Sequence, residues 1–332
     1  MMKYLLTSVW FVLIVSCSST RNASKEDASN SANHHETISS SFDDVDTSNI
    51  VQHFLSADQK PAPLSDLSRT EDGAYVLAPG YYEADFKTYC LQPGTPSPSS
   101  KDAYFRAPLT GTRKEIIETI LRNSQKKPYL EQQNVQLLLW SVVSKSNFDN
   151  LSSPVKSTAY ELLSSKQIFE LRGGTMGLVK TVVNTTGIAN TNSDLQKLFS
   201  LGTSSYEAYE KLAVLSEPSV IKRPDFKRDQ WYKNPDGYFV KYLPDTYKNT
   251  KIQLYVPKDC VDSTLKRNGN YVVFDPTTMI IVPAYSNSQR LGVGGAVVDV
   301  VRQVIKVGQN IPPPPPRKTP PPPPPVKTSP KD

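Results

Sequence analysis

Three cysteines and three histidines set the limits on what chemistry this 332-residue chain can perform. The histidines, His34, His35 and His53, all precede residue 64. Residues 64–308, where the large apolar residues collect, therefore offer no imidazole for a Ser-His or Cys-His nucleophile pair, and none for a His-ligated zinc. No carboxylate pair or Ser-Lys arrangement stands out by motif. The sequence thus names no catalytic residue, no metal ligand set and no cofactor. Gly173-Gly174-Thr175-Met176-Gly177 lacks the spacing of a phosphate-binding loop and reads as a helix stop. Cys90 and Cys260 remain, and in an oxidising compartment they would pair as a disulfide across a very long loop, provided their Cα atoms come close enough.

Cys17 stands apart. Lys3 precedes an apolar run over 5–15, broken only by Thr7 and Ser8, that ends in Ile14-Val15-Ser16-Cys17. The run is too short to span a bilayer core of about 30 Å, which takes roughly 20 residues, but it suits an export signal. Its end resembles the lipobox of bacterial lipoprotein signals. The resemblance implies a signal peptide over 1–16, cleavage before Cys17, and acylation (palmitate-type chains) of the Cys17 thiol. Each buried CH2 then contributes about 0.8 kcal/mol to anchoring in a lipid bilayer. Ser18 rather than aspartate follows, which by the same resemblance favours the outer membrane, on either face. An ordinary secretory signal with an incidental cysteine is the plainer alternative.

Tyr89-Cys90 ends one strand-like run, and Val135-Gln136-Leu137-Leu138-Leu139-Trp140 lies in a helix-like one. Residues 81–146 resemble the thioester domains of Gram-positive surface adhesins, in which a strand cysteine is joined to a glutamine that opens a helix in a Thr-Gln-x-x-Ile-Trp-like motif. The resemblance implies that Cys90 is the thiol and Gln136 the acyl donor, with Trp140 one turn further along the same face. Such a bond would trap a lysine amine on a partner. Val135 and Leu139 depart from the family's threonine and isoleucine, and the cell-envelope type differs. Read without the resemblance, Gln136 and Trp140 are a polar flank and a core aromatic of an amphipathic helix. The region is also similar to uncharacterised lipoproteins of Gram-negative envelopes, which implies no mechanism.

The elements that must position these residues follow from periodicity. Residues 74–77 and 81–91 predict strands across Pro79-Gly80. Thr112-x-x-Glu115 has capping-box spacing and opens a helix carrying Ile116, Ile117, Ile120 and Leu121 on one face. Further helices are predicted over 131–146, over 153–163 behind Ser153-Pro154, over 167–171, around Leu195 to Phe199, and over 204–215. Two hairpins follow, 237–243 with 251–256 and 271–274 with 279–283, and then an amphipathic helix over 296–307, whose β-branched content also allows a strand. The fold class expected is α+β: short N-terminal strands, a helical block, then a β-hairpin-rich C-terminal part. Residues 17–63 read as a disordered tether, 64–217 as the strand-plus-helix domain, 218–308 as the β-rich part, and 309–332 as a proline-rich tail in extended polyproline II.

The net charge of +6 is modest and uneven, with an acidic tether and a basic tail, and lacks the dense basic stripe of a nucleic-acid binder. The tyrosines at 81, 82, 104, 232, 238, 242, 247 and 255 suit a glycan or protein contact surface, and equally the packed faces of sheets. Sequence alone ranks first a non-enzymatic envelope lipoprotein that binds or scaffolds an envelope protein or glycan partner. A covalent adhesin with a Cys90–Gln136 thioester comes second, and a polysaccharide-acting enzyme with two carboxylates third.

Overall fold

Alternation of buried and open residues along Asn249–Val256 puts Thr250, Ile252, Leu254 and Val256 on one face, the period of a half-buried strand. The same logic shapes the longest strand, β1 (Gly80–Cys90), in which Phe86, Thr88 and Cys90 turn inward and are fully buried. The computed structural model describes residues 38, 42–51, 60–173, 188–215, 226–261, 271–284, 287–298 and 303–305. The leader with Cys17, the three histidines, glycines 174 and 177, and the proline-rich tail lie outside the described residues.

The main strands after β1 are β2 (Tyr104–Pro108), β3 (Trp231–Lys233), β4 (Phe239–Thr246), β5 (Asn249–Val256), β6 (Met279–Pro283) and β7 (Leu291–Ala296). With Ile50–Val51 and Ala62–Pro63 they form a nine-stranded mixed sheet. Its central order is β4-β5-β1-β7-β6-β2, and β2 returns to β4 through Tyr104 opposite Tyr242, closing the sheet into a barrel. β3 and Ile50–Val51 extend the β4 edge. A small second sheet joins Arg69–Thr70, Tyr75–Val76, Val273–Phe274 and Val304–Ile305.

The helical block enters between β2 and β3: α1 (Lys114–Lys126), α2 (Gln132–Val143), α3 (Ser153–Leu162), α4 (Ser165–Leu171), α5 (Ile188–Ser200) and α6 (Tyr206–Ala213). α2 is buried all round from Val135 to Val143, held between β1 on one side and α3, α5 and α6 on the other. α1 packs on β7. There the sequence Leu291-Gly-Val-Gly-Gly-Ala296 matters, because a Cβ at Gly295 would stand 3.0 Å from the Gln125 Cα and one at Gly292 2.8 Å from Leu121 Cδ1. Glycine is what lets helix and strand approach so closely.

Mixed α+β is what the sequence predicts, and both element types are present; the closed barrel is new. Residues 64–217 and 218–308 share one sheet, because β1 and β2 pair with C-terminal strands, and one apolar cluster runs from Phe42 to Ala296. Three expectations are corrected. The tether is ordered at 42–51, where Phe42 packs its ring against Phe105 and Phe226 at 5.9 and 4.9 Å. Val273–Phe274 pairs with Tyr75–Val76 instead of forming a hairpin with β6. The terminal helix is absent from the described part of 296–307: Ala296 ends β7 and Val304–Ile305 is a strand. Its run of β-branched valine and isoleucine loses χ1 freedom in a helix and fits a pleat, and pairing decided between the two periods.

Candidate functional site

β1 is paired with β5 only as far as Lys87 opposite Asn249, with one further bond from the Thr88 N–H to the Lys248 carbonyl. On its other edge it stays paired with β7, Cys90 opposite Leu291. The last residues of β1 therefore reach the core with one side of their backbone unclaimed by a strand, and buried peptide groups need partners. α2 supplies them from residues four apart on one face. Gln132 Nε2 donates to the carbonyls of Thr88 and Lys248 at 3.1 and 2.7 Å. Gln136 does more. The Cys90 N–H donates to Gln136 Oε1 at 2.8 Å, and Gln136 Nε2 donates to the Cys90 carbonyl at 2.9 Å.

Both residues are closed from water, Cys90 at 0% and Gln136 at 1% exposure. Burial pushes the Cys90 thiol up to about 12, against smaller lowering effects from the Trp140 indole N–H and the backbone at Gln92. That indole N–H has no hydrogen-bond partner of normal geometry, so its contact with the sulfur is an electrostatic one. Trp140 in turn stacks on Tyr206, centroids 5.8 Å apart and planes 20° apart, with Tyr247 beside it at 6.4 Å.

Above this aromatic layer the polar groups converge. Tyr206 and Tyr247 share a hydroxyl hydrogen bond of 2.8 Å, and Tyr247 also donates a short bond to the Glu210 carboxylate. Lys248 Nζ pairs with Glu210 Oε1 at 2.9 Å and lies 5.4 and 5.2 Å from the Tyr206 and Tyr247 ring centres. Burial raises both tyrosines above their usual range. For Tyr206 the Tyr247 hydrogen bond acts the other way, while Glu210 and Cys90 add to the rise. For Tyr247 the bonds to Glu210 and Tyr206 raise it further.

Cys260 belongs to a different place. Its thiol donates to the Asp236 carbonyl at 3.0 Å, just past the β5 end where Val256 faces Gly80. Cys90 is ten residues further along β1, roughly 30 Å away at the rise of an extended strand. A disulfide needs Cα atoms within about 7 Å. The possible Cys90–Cys260 pair is thus corrected: the two cysteines stand too far apart to be bridged, and both are buried.

A cavity of about 340 Å³ opens among Arg106, Tyr232, Asn234, Asp236, Tyr238 and Asp275. Two acids border it, as an enzyme acting on polysaccharide would need. Yet Asp275 is engaged in capping Thr277 and in an ion pair with Arg122, and Asp236 stands exposed. Neither has the sheltered setting that splits two carboxyls into acid and base. Among the described residues no group of three or more His, Cys, Asp or Glu is arranged to hold a metal, and no helix is long and apolar enough to cross a membrane.

Of the residues singled out in sequence, Cys90, Gln136 and Trp140 meet in one buried site, and Cys17 lies outside the described residues. Seven of the eight tyrosines noted in sequence are packed inward. Gln132 was legible as the residue four before Gln136 on the same helix face. Glu210 and Lys248 carry no local signal, since α6 and the β4–β5 turn bring them together only in the fold. Comparison with protein-family models, with curated proteins and with solved structures returns no match.

Proposed function

We propose that this chain is a lipid-anchored envelope protein whose folded body couples covalently to amine-bearing partners through a thioester between Cys90 and Gln136. The observation that carries the reading is the double hydrogen bond between the Gln136 carboxamide and the Cys90 backbone, made across 46 residues of sequence. It brings the Gln136 carboxamide onto the Cys90 main chain, in a site closed to water and beside a tryptophan N–H. Orientation of this kind replaces a costly encounter. The lipobox-like leader supplies the anchor, and the resemblance to adhesin thioester domains rests on the same residues.

The bond-forming step balances. Cys90 Sγ–H adds to Gln136 Cδ, the Sγ–Cδ bond forms, the Cδ–Nε2 bond breaks, and the thiol proton leaves with the nitrogen as ammonia. A partner lysine amine then displaces the sulfur and leaves a stable amide. Exclusion of water keeps the acyl group from hydrolysing before it meets that amine.

Intact mass spectrometry of the protein carrying Cys17→Ser, which removes the lipid, tests this. The mass is expected to be one ammonia below that of the sequence. Methylamine should restore it with the amine added and free one thiol, and Cys90→Ala should abolish both effects. A cross-link from Lys248 to Gln136 would also expel ammonia but would leave Cys90 free and ignore methylamine. A full-mass protein sinks the proposal.

A second reading rests on the completeness of the capping by Gln132 and Gln136, which leaves the end of β1 satisfied without any covalent step. Under it the body is a non-enzymatic binding module between the lipid anchor and the proline-rich tail. A pull-down from membranes, with and without residues 311–332, would then return different partners.

A further inference from the structure

We propose that Glu210, Tyr206 and Tyr247 form an ammonium-receiving port over the Cys90–Gln136 site, held shut by Lys248; this rests on the thioester reading above. The port is visible because a primary ammonium already occupies it. Lys248 Nζ is paired with the Glu210 carboxylate at 2.9 Å and sits near two tyrosine rings, the combination of carboxylate and aromatic faces that recognises an alkylammonium. It is the half-open layer above a closed one. The Lys248 and Glu210 side chains are 44% and 30% exposed, whereas Tyr206, Tyr247, Trp140 and Cys90 beneath them are buried.

The seat also solves a chemical difficulty. A lysine or alkyl amine, with a pKa near 10.4, is almost wholly protonated at neutral pH and cannot attack an acyl carbon. In the port one ammonium proton passes to Glu210 and on to solvent. The free amine then attacks Gln136 Cδ, the C–N bond forms, and the C–S bond breaks. The second proton, shed from nitrogen, travels through the hydroxyls of Tyr247 and Tyr206 to the departing sulfur. Cys90 leaves as a neutral thiol, as its buried setting demands, since burial pushes that thiol up to about 12. The hydroxyls stand in line, Glu210 to Tyr247 to Tyr206, and the Tyr206 phenol is within electrostatic range of Cys90.

Glu210 and Tyr247 act here as positioning and proton-handling residues, so the test separates them from a structural role. Rates of mass gain would be compared for methylamine, a cation at pH 7, and hydroxylamine, which is neutral there. The protein carries Cys17→Ser, and occupancy of the thioester is read in the same spectra. Glu210→Gln should slow methylamine by about 10- to 100-fold, the low end of general acid–base effects, and leave hydroxylamine within about two-fold, whereas Tyr247→Phe, which cuts the relay to the sulfur that both nucleophiles use, should slow both. Lys248→Ala, at a half-exposed position where folding is not at stake, should speed methylamine several-fold by emptying the seat. Equal slowing of both nucleophiles by Glu210→Gln, or methylamine rates unchanged in all three variants, overturns the port while the thioester stands. A wild-type protein of full mass overturns both.

Discussion

The carboxamide of Gln136 closes a ring of two hydrogen bonds on the backbone of Cys90, at 2.8 and 2.9 Å, and so takes the place of the strand that β1 lacks at its end. One side chain thus does the work of a ladder rung in a site closed to solvent. Removing it would leave a buried N–H and a buried C=O without partners, each costing about 1–3 kcal/mol. Measured in a Cys90→Ala background, where no thioester can form, Gln136→Ala should lower stability by about 2–6 kcal/mol in urea unfolding. A loss under about 1 kcal/mol would mean the ring is not formed.

The pH dependence of the opened site has a definite sign. Burial raises the Cys90 thiol from an ordinary 9.0 to about 12 in the folded protein. A neutral thiol is therefore favoured by folding below pH 9, and that contribution is lost as pH rises through 9 toward 12. An intact thioester has no thiol to titrate. Protein pretreated with methylamine should accordingly lose more stability between pH 9 and 12 than Cys90→Ala does, while untreated protein should match Cys90→Ala. Chemical unfolding across that range checks it, and the difference between samples removes the contribution of the buried tyrosines they share.

The packing of α1 on β7 gives a prediction about geometry alone. An added Cβ at Gly295 meets the main chain of α1 at 3.0 Å, whereas one at Gly292 meets the end of the Leu121 side chain. A leucine methyl can turn aside and a helix backbone cannot. Gly295→Ala should therefore cost about 1–3 kcal/mol, the usual range for overpacking, and Gly292→Ala less. Thermal melts of the two variants beside the wild type would rank them, and the reverse order would contradict the close approach.

How much of this was legible in sequence can be read off particular residues. The strand ending at Cys90 and the helix carrying Gln136 follow from periods of two and 3.6; the strand stands within a residue of its predicted bounds, and the helix ends three residues early, at Val143. Their contact does not follow from periodicity, since hydrogen bonding across 46 residues is a property of topology; the motif resemblance alone suggested it. Barrel closure was invisible for the same reason, resting on one pairing between Tyr104 and Tyr242. Thr112 was a reasonable cap by spacing, yet α1 starts at Lys114 with Arg113 before it and no side-chain cap, because packing of Ile116, Ile117 and Ile120 fixes the helix without one. The segment over 304–305 shows the converse case, where valine and isoleucine fit either period and pairing with Arg69–Thr70 settles it.

Phe42 offers the last prediction, because the polar sequence around it gave no reason to expect an ordered segment. Its ring lies within 5.9 Å of Phe105 and 4.9 Å of Phe226, and the chain beyond it continues as a strand on Trp231 and Tyr232. Phe42 and Val45 are the two buried residues of 42–51, and the ring is the larger of them, so its burial does much to offset the ordering of the segment. Phe42→Ala should release that segment while the barrel persists. Limited proteolysis should then cut within 42–51 and leave the remainder intact, and amide exchange at Ile50 and Val51 should quicken while that of β1 and β5 holds. Protection of Ile50 unchanged in the variant would show that strand pairing with β3, and not the aromatic anchor, fixes the segment.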